Sequence, residues 1–394
     1  MMSSIIDHLT IDQNYLREVR EHIHRHPELG FDVENTADFI ANKLQKLGLE
    51  VKRNIGKTGL IADLIVNPDY PMIALRADMD ALPIHEQNTC NYKSTINGKA
   101  HMCGHDAHCA MVLTTAHTLI TQKAALKINV RFLFQPSEEV LPGGAPAMIK
   151  DGALVGISAI YGIHVFPSID EGKMQICQPV ALAGVDLFDL TFIGKGGHAS
   201  TPCTTNDPMI MATQFVNALQ TIVSRNLSSF DPAVVSVTAL NIGSAYNVIA
   251  DKAKLKGCIR YLSQPARELV KKRLYEIASG VAHTYAGSVE INYLPGYPET
   301  QNDTNCAQKS ILAAQKVVGK KNTLLSHIPW MASEDFSYFA KEIPACYAFL
   351  GVRNEACGFT SMVHEPTFDL SIDAMIYGVK YYLALCLSYH SKSS

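Results

Sequence analysis

Apolar residues recur every three or four positions between residues 15 and 24, at Leu16, Val19 and Ile23, which predicts a helix stopped by Pro27. Residues 36–47 predict a second helix with Gly48 as its stop. Residues 71–77 form a short apolar run that predicts a buried strand, followed by Asp78, Asp80 and a turn at Pro83. Residues 107–120 predict a helix, and 128–135 and 157–165 predict strands. Short apolar strands alternating with helices predict an α/β domain built on a mostly parallel sheet. In such sheets functional groups gather beyond the carboxyl ends of the strands. Asp78, Asp80, Glu138, Glu139 and His164 fall at or just after predicted strand ends.

The middle of the chain has another rhythm. Residues 187–193 alternate as a strand, and the run Gly194-Lys-Gly-Gly-His-Ala-Ser200 breaks it. Residues 207–224 predict a helix, 233–241 and 253–262 strands, 265–283 a helix and 288–293 a strand. The order β-α-β-β-α-β is that of a ferredoxin-like unit. Residues 182–293 are therefore expected to form an inserted α+β lid or dimerisation domain. Residues 1–181 plus 294–394 are expected to form the catalytic domain. The α/β pattern resumes there with helices near 303–318 and 371–387 and a strand at 345–350.

Composition narrows the class. A chain of 394 residues suggests two domains. Its 47% apolar and 18% charged residues allow a large buried core. A net charge of −3 favours neither nucleic acid nor an acidic membrane surface as a partner. No apolar run reaches the ~18 residues that span a bilayer. Residues 1–8 lack a basic stretch followed by an apolar core, so no secretory signal is expected. Ten cysteines without a repeated spacing argue against a disulfide scaffold and for a reducing, cytoplasmic compartment.

Four separated places offer metal ligands: Cys103-Gly-His105, Glu138-Glu139, His164 and His364. Ligands from distant segments can leave an open coordination position, as a hydrolytic metal site requires. Cys103 and His105 would diverge on a helix, so both are expected on a turn before it, with Gly104 supplying the bend. Adjacent carboxylates at the mouth of a core repel unless a cation neutralises one. One of Glu138 and Glu139 can then ligate while the other moves protons. The plainer readings are a core histidine at 164, a loop histidine at 364 and turn aspartates at 78 and 80. His101 and His108 read as structural, and His22, His24 and His26 as solvated.

Six motifs occur in order: Arg76-Ala-Asp-Met-Asp-Ala-Leu-Pro83, Cys103-Gly-His-Asp106, Gln135-Pro-Ser-Glu-Glu139, Gly194-Lys-Gly-Gly-His-Ala-Ser200, Asn247-Val-Ile249 and Ser333-Glu-Asp-Phe336. Together they resemble the amidohydrolase branch of the aminoacylase and carboxypeptidase superfamily, over nearly the whole chain. The resemblance implies a homodimeric or larger hydrolase of N-acyl amino acids with two divalent ions, zinc first and manganese, cobalt or nickel also suitable. It implies Cys103, His105, Glu139, His164 and His364 as ligands, with Cys103 shared. It also implies Glu138 as general base and Asp80 as the carboxylate that orients a histidine ligand. His198 would serve the oxyanion, and Asn247 and Arg260 would grip substrate. Three departures touch the pocket rim and bear on acyl specificity: Ala250 where proline is usual, Glu365 where serine is common, and Cys203-Thr-Thr-Asn206. The rival readings are a dipeptidase or carboxypeptidase using the same site, a non-catalytic binding protein, and a hydrolase with Cys103 as nucleophile.

Overall fold

The computed structural model describes residues 9–389. The N-terminal residues on which the absence of a secretory signal was argued lie outside the described residues. The chain divides into two compact units. The first comprises Met1–Ala181, Thr300–Pro329 and Asp335–Ser394, and the second Leu182–Glu299 and Trp330–Glu334.

The first unit holds an eight-stranded sheet. Its centre is parallel: Asn129–Gln135 pairs with Met72–Asp78, that strand with Ile157–Asp170, and this in turn with Ala345–Arg353. Antiparallel strands flank the centre, Gly59–Leu64 on one side and Met174–Cys177 on the other. Every residue of Asn129–Gln135 is buried, as a strand covered on both faces requires. Helix His105–Thr121 is buried along almost its whole length and packs against Gln13–Arg25 and Ile372–Leu387. Among the described residues no helix is long and apolar enough to cross a membrane.

Two local details differ from expectation. The strand read as ending at Val165 continues to Asp170, so His164 lies inside it, paired with Phe349. The neighbouring strand Met72–Asp78 pairs only as far as Arg76 with Gly162. His164 therefore still projects just past the end of that pairing. Helix His105–Thr121 also starts two residues earlier than predicted, with Gly104 as its N-cap. His105 is thus the first helical residue rather than part of a preceding turn.

The second unit is a four-stranded antiparallel sheet in the order Ala233–Ile242, Lys252–Tyr261, Gly184–Ile193, Ser288–Pro295. Alternate residues of Lys252–Tyr261 are buried, so one face of the strand joins the apolar cluster shared with helices Pro208–Thr221 and Gln264–Thr284. This is the ferredoxin-like connectivity expected from the pattern.

The reading of His24 as solvated is wrong. Leu16, Arg20 and His24 recur at spacings of four, and all three are buried. His24 Nδ1 lies 2.8 Å from Asp106 Oδ2, and its Nε2 lies 3.2 Å from Glu86 Oε1. Ionised carboxylates only accept, so both ring nitrogens carry protons. Burial opposes that charge, but Asp106 and Glu86 raise the imidazole to about 9. An unfolded histidine titrates near ~6.5, so this stabilisation is complete below that pH and is lost as pH rises through about 9. Between pH ~6.5 and ~9.5 the wild type should lose roughly 3 kcal/mol more stability than a His24→Gln variant, measured by denaturant unfolding. Equal pH slopes for the two proteins would contradict the charged imidazole.

Candidate metal centre

Gly104 has φ +91°, a conformation that residues with a Cβ adopt only under strain. A Cβ there would also lie 2.4 Å from Val165 Cγ2. This bend turns the Cys103 thiol and the His105 ring to one place, which His164 enters from its strand. One ligand atom from each of Cys103, His105 and His164 lies within 4.8 Å of the others. Cys103 Sγ is 3.5 Å from His164 Nε2. Hydrogen bonds fix both rings. His105 Nδ1 donates to the Asp80 carbonyl at 2.8 Å, and His164 Nδ1 donates to the Val165 carbonyl at 2.7 Å. With Nδ1 donating, each ring presents Nε2 as a lone pair once it carries a single proton, the tautomer a metal ligand needs.

Cys103 also belongs to a second group, with Glu139 and His364. The Asp80 carboxylate accepts from the Glu138 and Glu139 amides, at 3.0 and 3.1 Å, and so orients the two glutamates together. Its Oδ1 is also 3.5 Å from His105 Nδ1. Ser137, just before the pair, has φ +54°, and His364 itself has φ +69°. Two non-glycine residues in this region thus flank or form the centre, which is where strained backbone tends to be retained. The His364 amide donates to the Met102 carbonyl at 2.7 Å, tying its loop to the Cys103 turn. Its side chain is about half exposed, the most open of the ligand candidates.

Asp78, His105 and His108 form a further group of possible ligands. Their bonding argues against an ion there. His108 donates from Nδ1 to Asp78 at 2.6 Å and accepts at Nε2 from the Val165 amide at 3.1 Å. Asp78 is paired with Arg76. Burial alone would raise its pKa, but Arg76, His105 and His108 hold it well below the usual carboxylate range. His108 is therefore structural, as expected, and Asp78 is an anchor rather than a turn former. His101 is buried with neither ring nitrogen partnered, and burial lowers it to about 3.

The atoms aimed at the centre suit a cation. His105 Nε2 and Glu139 Oε1 are buried without a hydrogen-bond partner. Glu139 Oε1 is 3.2 Å from His364 Nε2, close enough for an ion pair but without hydrogen-bond alignment. Burial pushes the Cys103 thiol well above its ordinary value, and Glu139 and Glu138 push it further. Burial opposes a charge on His105, but Asp78, Asp80 and Glu139 raise it to about 10. Without a metal, protons on the thiol and the imidazole neutralise the centre. Divalent cations would displace both. The donor set, one thiolate, three imidazoles and a carboxylate from five positions, is compatible with a dinuclear divalent-metal site.

The remaining candidates belong to the second unit. His198 is exposed and paired with Val248, and the Ala199 amide donates to the Asn247 carbonyl at 3.0 Å. The Ser200 amide donates to His198 Nδ1 at 3.1 Å, which leaves the ring proton on Nε2. Arg260 lies within strand Lys252–Tyr261 and donates to Ser333 Oγ at 2.8 Å. Gly196 and Gly197 immediately precede His198. Neither has a positive φ, and a Cβ on Gly196 would lie 2.6 Å from the Ile249 carbonyl oxygen. Close strand approach is what excludes a side chain there.

Residues 74–388 match the Peptidase family M20/M25/M40. The chain belongs to this family. It is 36% identical over 373 residues to N-acetylcysteine deacetylase of Bacillus subtilis, covering 94% of this chain and 96% of that protein. It is 33% identical over 383 residues to thermostable carboxypeptidase 2 of Saccharolobus solfataricus, covering 96% of each. A crystal structure of a dinuclear metal-binding M20 peptidase from Bacillus subtilis aligns with TM-score 0.81 at 32% identity, over 95% of this chain and 97% of that one. The protein is thus a metal-dependent hydrolase of the M20 family, acting on acyl-amino acids or peptides.

Sequence reasoning missed the buried pairing of His24 with Asp106, the residue after His105. The signal was present in the four-residue spacing from Leu16 through Arg20 to His24.

Zinc titrated into metal-free protein should release protons, and Cys103→Ala should release about one fewer and bind both ions more weakly. Calorimetry in buffers of different ionisation enthalpy measures this. Unchanged proton release in Cys103→Ala would remove the thiol from the ligand set.

Proposed function

We propose that this M20 hydrolase cleaves the amide bond of N-acyl-L-amino acids, releasing a carboxylic acid and a free amino acid. Cys103, His105, Glu139, His164 and His364 would hold two divalent ions, with zinc first and manganese, cobalt or nickel also suited to the donors. The observation that carries the reading is the pair Glu138-Glu139. The two amides share one anchor, Asp80; Glu139 joins Cys103 and His364 in one group, while Glu138 lies with Glu139 and His105 in another. A mere binding site has no need of a second carboxylate.

When bound, the ions would acidify a shared water and polarise the acyl carbonyl. Glu138 takes the proton of the attacking water and returns it to the departing amine. His198 donates from Nε2 to the developing oxyanion, a role supported by its Nδ1 accepting from Ser200. Arg260 and Asn247 grip the α-carboxylate of the amino-acid portion, the guanidinium in bidentate fashion.

The 36% identity to a deacetylase of an N-acyl amino acid supports this choice. The 33% identity to a carboxypeptidase supports a second reading, peptide cleavage at the same centre. Acetyl-, benzoyl- and indole-acetyl-amino acids assayed beside dipeptides with a free amino group separate them. Preference for the dipeptides would favour the second. We place the enzyme in the cytoplasm, where its ten unpaired cysteines would stay reduced. We also read it as a homodimer formed through the second unit, whose edge strand Ala233–Ile242 exposes Val234 and Leu240.

Glu138→Gln should keep both metals and lose roughly 10²–10⁴-fold in turnover. Near-normal turnover would refute the base, and lost metal would exchange the roles of the two glutamates. Arg260→Ala should weaken hydrolysis of N-acyl amino acids by roughly 2–5 kcal/mol more than that of their amides. Equal losses would show that Arg260 does not read the carboxylate.

A further inference from the structure

The loop that starts at His364 has little regular structure of its own, yet it must present an imidazole to the centre. Its His364 amide is tied to the Met102 carbonyl, and its Pro366 and Phe368 carbonyls accept from Gln87 and Asn88; its far end is held by a buried polar network. Arg20, on helix Gln13–Arg25, has a side chain that is only 3% exposed. Its Nε lies 3.2 Å from Asp106 Oδ2, on the residue next to His105. Its Nη1 donates to the Leu370 carbonyl at 2.8 Å, and its Nη2 pairs with the Asp369 carboxylate. Tyr92 donates to the other Asp369 oxygen at 2.7 Å. One rigid guanidinium thus touches both the start of the helix that carries His105 and the end of the segment that carries His364. Its planar fork suits that task, because donors on different edges can serve separate acceptors at once.

We propose that Arg20 is a positioning residue that sets the spacing of the metal centre by clamping the His364 segment to the His105 helix. This rests on the two-ion reading above. The two groups of ligands depend on the clamp unequally. Cys103, His105 and His164 are held by the Gly104 bend, by backbone carbonyls and by a central strand. Glu139 and His364 complete the other group, and His364 is half exposed with a strained backbone. Arg20 acts on the second group through Asp369 and Leu370. Its loss frees the His364 end and leaves the Cys103–His105–His164 end in place.

The test is zinc binding by the full-length protein, read by chelator competition and by metal content after dialysis. Wild type should hold two ions. Arg20→Lys keeps the charge but not the fork, and Asp369→Asn breaks the clamp from the loop side. Each should retain one ion near wild-type affinity and bind the other about 10–100-fold more weakly, the range seen when support of a metal ligand is removed. Cobalt-loaded samples should keep the thiolate-to-cobalt absorption band of Cys103. The clamp is refuted if both variants hold both ions with wild-type affinity, or if both ions weaken equally in a folded protein. A wild type that binds fewer than two ions would instead refute the two-ion reading itself, whatever the variants do.

Discussion

Charge taken out of water has to be neutralised, and the centre around Cys103 is organised by that constraint. Asp78, Asp80, Glu138 and Glu139 converge there with a thiol, all from segments buried in the core of the first unit. Arg76 and His108 satisfy Asp78. The Glu138 and Glu139 amides serve Asp80. Cys103, His105 and Glu139 are then left with atoms that face one another. Protons can fill that role, which is why the thiol and the imidazole both titrate above their ordinary ranges. Divalent ions held there would displace those protons and bring Lewis acidity with them. Proton-for-metal exchange links the electrostatics of the fold to its chemistry.

Geometry around the centre is set by backbone as much as by side chains. Two carbonyls choose the histidine tautomers, one glycine makes the Cys103 turn, and Asp80 grips the amides of both glutamates. Asp80 thereby does two jobs: its main chain orients His105, while its side chain sets the glutamate pair. A substitution that preserved the charge at Asp80 but lengthened the side chain would displace both glutamates together.

Much of this was legible in the chain, for physical reasons. The helix and strand order of both units follows from apolar periodicity, and strand ends in a parallel sheet are where polar groups can collect without breaking the core. Gly104 was readable because a Cys-x-His turn needs a residue without a Cβ. Other features were hidden. His164 looked like a strand-end residue, but its strand runs on because Ala345–Arg353 pairs with it beyond the reach of Met72–Asp78. His24 looked solvated because a charged helix near the N-terminus usually faces water. Only its tertiary partners, Asp106 and Glu86, make burial tolerable. Tertiary charge pairing leaves a weak local trace, whereas periodicity and turn chemistry leave strong ones.

Anomalous diffraction from zinc-loaded crystals would locate the ions at the Cys103 centre. Two peaks about 3.5–4 Å apart are expected. Both should be within bonding distance of Cys103 Sγ, one with His105 and His164 and the other with Glu139 and His364. A single peak, or a peak between Asp78 and His108 with the Cys103 thiol uninvolved, would contradict that arrangement.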